Sequence, residues 1–165
     1  MTDNEALLCR MFEFDEGDAK RIQHLIKVYE FAHLIGVSEG IAAETQRILD
    51  AAAILHDIGI VPCERKYGRC NGKMQEKEGP AYAEAMLKDY GRYTDAEIER
   101  ICYLIAHHHT YSNVDGIDYR ILLEADFIVN AFEDGLSAEA VLNGRREIFE
   151  TASGKHMLDC NFKLN

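Results

Sequence analysis

Residues 51–59 read Ala51-Ala52-Ala53-Ile54-Leu55-His56-Asp57-Ile58-Gly59, an apolar run closed by an imidazole, a carboxylate and a glycine. The run reads as the last turns of a buried helix, with the glycine as its stop. Adjacent side chains on a helix point about 100° apart, so His56 and Asp57 do not share a face. They grip an ion only if it sits beside the helix, between the two directions, and another helix adds ligands. Taken alone, the dipeptide reads as a helix C-terminus, with His56 favourable to the dipole and Asp57 exposed.

Outward from this run, apolar residues recur at helical rather than alternating spacing, and only Pro62 and Pro80 interrupt the chain. The expected fold is all-α, a single compact helical bundle of about six or seven helices. Asp18 caps a helix to about Gly36, and Ser38 caps one to about Asp57. Gly79-Pro80 opens a third that stops at Gly91. Thr94-x-x-Glu97 is a capping box for a fourth, reaching about His108. A fifth covers about Tyr119 to Asp134, and one or two more fill Ala138 to Ala152. The longest unpatterned stretch, Gly59 to Glu78, carries Arg65, Lys66, Arg69 and Lys73 and is expected to be a functional or mobile loop.

Titratable residues recur on apolar surfaces. The helix from Asp18 has two apolar seams, one with Ile22, Tyr29 and His33, the other with His24, Val28, Phe31 and Ile35. Each histidine reads as a hydrogen-bonded core residue or as a ligand, and spacing alone does not separate the two. On the fourth helix, Ile98, Ile101, Cys102, Leu104 and Ile105 define one face. Projected forward, His108 and His109 fall about 50° either side of it while His107 points away, toward solvent. The fifth helix is apolar almost all round and holds Asp126, and a buried carboxylate must be paired, hydrogen-bonded, neutralised or metal-bound. Together, two imidazoles and two carboxylates from three helices make a mixed nitrogen and oxygen set, suited to Mn, Fe, Ni, Co or Zn rather than Ca.

The 165 residues carry 18 Lys+Arg against 29 Asp+Glu, a formal charge of −11. That balance opposes a non-specific grip on a nucleic-acid polymer or an anionic membrane. No apolar stretch nears the roughly 18 residues of a spanning helix, and Met1-Thr-Asp-Asn-Glu lacks the basic region of a secretory signal, so a cytosolic location is expected. Cys9, Cys63, Cys70, Cys102 and Cys160 are scattered without a C-x₂-C pair, and a disulfide framework is not expected. Cys63 and Cys70 bracket one loop and read as ordinary thiols, a redox pair or weak zinc ligands.

Arg21-Ile-x-His24, Ala53-Ile-Leu-His56-Asp57-Ile-Gly59 and Glu124-Ala-Asp126, in that order and spacing, resemble the H…HD…D signature of the HD-domain metal-dependent phosphohydrolase superfamily. The resemblance covers about residues 18–133. It implies an HD-domain helical bundle with His24, His56, Asp57 and Asp126 as ligands of one divalent metal, and leaves His33 a core histidine. Dinuclear members carry a further histidine just before the third helix, where this chain has Gln75-Glu76-Lys77-Glu78. His108 and His109 look like the later histidine pair of those members, so a second ion is possible, with one favoured.

A divalent ion there supports hydrolysis of a phosphate ester. Asp57 binds the ion and orients the attacking water, and Glu76 or Glu78 is a candidate acid or base. Arg21, one turn before His24, is the first candidate for the substrate phosphate, with Lys66, Lys73, His108 and His109 as further contacts. The expected substrate is a small phosphorylated metabolite, foremost a nucleotide. The alternatives are a non-catalytic metal or nucleotide sensor, and a di-iron oxygenase on the same scaffold. The oligomeric state stays open.

Overall fold

The computed structural model describes residues 1–164, and among these the regular elements are all helices. In chain order they are α1 (Asp3–Phe14), α2 (Ala19–Glu39), α3 (Ala43–Leu55), α4 (Ile60–Tyr67), α5 (Gly72–Tyr90), α6 (Asp95–Ile105), α7 (Ile117–Glu133), α8 (Ala138–Ile148) and α9 (Ala152–Phe162). The all-α expectation holds, with nine helices among the described residues rather than six or seven.

Two of the additional helices lie at the ends. α1 starts at a full capping box, with the Thr2 hydroxyl accepting from Glu5 N–H and the Glu5 carboxylate accepting from Thr2 N–H. The C-terminal pair reaches past Ala152, because Thr151 caps α9 by accepting from Gly154 N–H.

The stretch expected as one long loop is mostly helical. Pro62 sits in the first turn of α4, where its missing N–H has no helical partner to lose. The chain turns through Gly68, and the Asn71 side chain accepts from Met74 N–H to start α5 well before Gly79-Pro80. Pro80 therefore lies inside α5 rather than at its start.

α2 also outruns its expected end. Gly36 is an inter-helix contact rather than a stop, since a Cβ there would lie 2.2 Å from Gln46 Oε1 on α3. The left-handed turn falls at Gly40 (φ 68°), so Ser38 is inside α2 and α3 begins at Ala43, not at a Ser38 cap.

α2, α3 and α7 form the centre. Leu25, Val28, Ala32 and Ile35 of α2 meet the fully buried Ala51–Leu55 run of α3 and Ile121, Leu122, Ala125 and Ile128 of α7. α6 packs against α3 on one side and α5 on the other. This arrangement brings the first turns of α2, the end of α3, the end of α6 and the middle of α7 to one place. No helix among the described residues is long and apolar enough to cross a membrane.

Candidate metal centre

His56 is the residue that ends α3, fully buried, and Asp57 begins the tight turn that follows. His56 keeps helical dihedrals (φ −54°, ψ −38°), and the two neighbours still bring donor atoms near one point beside the helix end. His56 Nε2 and Asp57 Oδ2 are 3.5 Å apart. His24 of α2 joins them, its Nε2 3.2 Å from His56 Nε2 and 3.5 Å from Asp57 Oδ2. Asp126 of α7 closes the group from another side, its Oδ1 3.4 Å from His24 Nε2 and 3.6 Å from His56 Nε2.

Without an ion these contacts serve as hydrogen bonds, and their spacings are also close to those of ligands around one ion. Donors about 2.1 Å from one ion lie about 3.0–3.4 Å apart at right or tetrahedral angles. The donor atoms of His24, His56 and Asp57 all lie within 4.8 Å of one another. Two imidazoles and two carboxylates, with His24, His56 and Asp126 buried and Asp57 at the cavity wall, form a donor set that a borderline transition-metal ion fits.

Asp57 serves a second group with its other oxygen. His108 Nε2 is 3.5 Å from Asp57 Oδ1, is fully buried, and has no hydrogen-bond partner. Such an orphaned nitrogen costs free energy unless something binds it. Asp57, His108 and His109 also offer donor atoms within 4.8 Å of one another, and His109 Nε2 is 2.5 Å from Gln75 Oε1.

The charges follow from this crowding. Burial pushes the His24 pKa down, but the hydrogen bonds to Asp126 and Glu133 and the charges of Asp57 and Asp126 outweigh it and raise it to about 9. Burial wins at His56, whose pKa is lowered. Burial alone would raise Asp57, yet His56, His108 and His24 hold its carboxyl well below the usual range. Asp126 is likewise lowered against burial by the His24 hydrogen bond and by His56. Without an ion, a protonated His24 beside ionised carboxylates carries positive charge in the cluster, and Asp57 and Asp126 also raise the His108 pKa against burial.

Arg21 lies one turn before His24 and lines the same open cavity of about 310 Å³, with Lys20, His24, Asp57, Gln75, Asn130 and Glu133 among its walls. Its guanidinium is 3.3 Å from Asp18 and 3.4 Å from Glu64. Behind it sits Asp15, 4.0 Å away, whose buried carboxyl is pushed up to about 6 by desolvation despite Arg21.

The other expected contacts lie elsewhere. Buried Glu76 accepts from His109 N–H, Thr110 Oγ1 and Lys73 Nζ, tying the turn after α6 to α5. Glu78 accepts from Lys66 and Tyr67. None of Lys66, Lys73, Glu76 and Glu78 is among the cavity walls. His107 departs from the expected solvent-facing position: it is half-buried, donates from Nδ1 to the Tyr103 carbonyl oxygen 2.7 Å away, and packs on the Tyr103 ring. His33 is half-buried, 3.0 Å from the buried Asp50 carboxylate, rather than inside an apolar core.

Cys63 is buried and Cys70 is at the cavity wall beside it. Burial and the neighbouring Cys63 push the Cys70 thiol up to about 12, a poor setting for a reactive thiolate. The sequence reading missed Glu133, which lines the cavity and touches His24. Its signal was its place seven residues after Asp126, two turns along the same helix face.

The family model for the HD domain matches residues 21–143, a span that holds all four clustered donors. Comparison with curated proteins gives no match. Among solved structures, the chain is similar to that of a predicted HD superfamily hydrolase from an uncultured Thermotogales bacterium, with 24% sequence identity and a TM-score of 0.69. That similarity covers 97% of this chain and 85% of the other, and bears on the fold.

Proposed function

The chain belongs to the HD domain family, and from that premise we propose that it is a metal-dependent phosphohydrolase acting on a small phosphorylated metabolite, foremost a nucleotide. The observation that carries this reading is the convergence of His24, His56, Asp57 and Asp126 at 3.2–3.6 Å beside an open cavity that holds a guanidinium. One divalent ion is proposed at this group. The other oxygen of Asp57, with His108 and His109, offers a place for a second.

A bound ion would lower the pKa of water and polarise a phosphoryl oxygen. The chain's own residues do the rest. Asp57 lies at the cavity wall with Oδ2 toward His24 and His56, and its Oδ1, 3.5 Å from His108, is the oxygen that orients the attacking water. Arg21 binds the substrate phosphate, exchanging its exposed carboxylate partner Glu64 for a doubly charged one. Glu76 holds the His108–His109 turn in place and is not proposed as the base. The acidic surface speaks against a nucleic-acid polymer as substrate.

The test is phosphate release from a panel of nucleotides and other phosphomonoesters, with Mn²⁺, Co²⁺ or Ni²⁺ supplied and then chelated. Chelator-sensitive release from at least one ester is expected. A fully metallated protein that binds nucleotides and hydrolyses none of the panel would favour a sensor instead. In the same assay Arg21→Ala is expected to lower kcat/KM by roughly 10–100-fold with metal content unchanged, the worth of a charge-assisted hydrogen bond. The buried Asp15 then loses its nearest cation, and with a pKa already near 6 it can take up a proton.

A further inference from the structure

Three histidines turn Nε2 toward the candidate centre, and each has Nδ1 against an oxygen. For His56 and His108 that oxygen is the backbone carbonyl three residues earlier, Ala53 and Ile105, both at 2.7 Å. A carbonyl only accepts, so the proton is on Nδ1 and the Nε2 lone pair is left for a ligand bond. His24 lies within α2, where the preceding carbonyls are used by the helix's own ladder. Its acceptor comes from another helix: Glu133 Oε2, at the end of α7, is 2.8 Å from His24 Nδ1.

Glu133 is itself held. Its other oxygen is 2.6 Å from Lys27 Nζ, and Lys27 lies three residues after His24 on α2. The Glu133 side chain is 13% exposed, little more than that of His24, so the contact is shielded from water on the protein side of the cavity. α7 thus places a carboxylate on each side of one imidazole, Asp126 at Nε2 and Glu133 at Nδ1.

We propose that Glu133, fixed by Lys27, is a positioning residue for the metal centre, keeping the His24 proton on Nδ1 and its Nε2 lone pair aimed at the ion. The inference rests on the metal reading above. The competing account is that Lys27 and Glu133 merely tie α2 to α7 at the surface, which would affect unfolding and leave metal affinity alone.

The experiment is a Mn²⁺ titration, by competition with a chelating dye, of the full chain and its Glu133→Ala and Glu133→Gln forms, with thermal unfolding of each metal-free protein alongside. Glu133→Ala is expected to weaken Mn²⁺ binding by about 10–100-fold, the usual effect of losing a partner of a metal-bound histidine. Glu133→Gln keeps an accepting oxygen and is expected to recover most of that loss. In the zinc-loaded unsubstituted protein, ¹⁵N-correlated NMR of the His24 ring is expected to show the proton on Nδ1, a readout that stands even if Glu133→Ala folds poorly. Alanine binding as tightly as the original, glutamine no better than alanine, or the zinc-loaded ring protonated on Nε2 would each overturn the proposal. An original protein that takes up no metal would instead bring down the functional reading beneath it.

Discussion

Asp57→Ala is expected to abolish metal retention and phosphate release together while helix content stays unchanged. Asp57 is the shared member of the centre: Oδ2 faces His24 and His56, and Oδ1 faces His108, each at 3.5 Å. Its removal takes a charged donor from both candidate groups at once and leaves His24, His56, His108 and His109 with Asp126 as the one carboxylate. The affinity loss should exceed the roughly 10–100-fold seen for residues that only support a ligand. Asp57 is outside the apolar cluster and 15% exposed at its side chain, so no core cavity is created. Elemental analysis after gel filtration, with far-ultraviolet circular dichroism on the same sample, reads both halves of the expectation. Full metal content in the variant would remove Asp57 from the ligand set.

Metal affinity is expected to rise steeply with pH, by about a hundredfold for Mn²⁺ between pH 6.5 and 8.5 if one proton is displaced per ion. His24 sets the direction. Its pKa is raised from an ordinary 6.5 to about 9 in the metal-free protein, so over this range the ring is an imidazolium with Nδ1 directed to Glu133 and Nε2 facing Asp126. An ion must displace the Nε2 proton, and raising the pH removes that competitor. The same shift affects the metal-free fold with the opposite consequence. The stabilisation from protonated His24 is complete below 6.5 and is lost as pH rises through 9. Chelator competition at several pH values checks the first statement, and metal-free thermal unfolding over the same range checks the second. A pH-independent affinity would mean that His24 is not the displaced cation.

Each of the four clustered residues stood out in the sequence for a physical reason. Asp126 is a charge inside an almost wholly apolar helix, and His56-Asp57 closes an unbroken apolar run. The separation of His24 from His33 was not legible from spacing, because both lie on apolar seams of α2. What separates them is which neighbour each seam meets: His33 finds Asp50 near the surface, and His24 finds the end of α3. The helix projection put His108 and His109 toward the interior and His107 toward solvent; His108 is fully buried, while His109 and His107 are both half-buried. Tyr103, four residues back on the same helix face, covers the His107 ring and takes its Nδ1 hydrogen bond, so a position outside the apolar face is still shielded.

The fold's missed elements have similarly local causes. α1 carried its own signal, the Thr2-x-x-Glu5 capping box, while α4 and the first turns of α5 are polar enough to look like loop. Gly36 and Gly79-Pro80 read as punctuation because glycine and proline usually break helices. Here Gly36 answers to a close helix contact and Pro80 sits inside α5, conditions that only the packed structure supplies. Glu76 and Glu78 were drawn toward the site by their place in the chain, yet one anchors the histidine turn and the other pairs with Lys66 and Tyr67.

The central claim is that His24, His56, Asp57 and Asp126 bind one divalent ion beside Arg21. Anomalous diffraction from a Mn²⁺-soaked crystal tests it most directly. The account predicts a manganese peak within about 2.0–2.3 Å of His24 Nε2, His56 Nε2 and carboxylate oxygens of Asp57 and Asp126. A crystal in which manganese binds elsewhere, or in which the four side chains remain linked to one another with no peak between them, would contradict it.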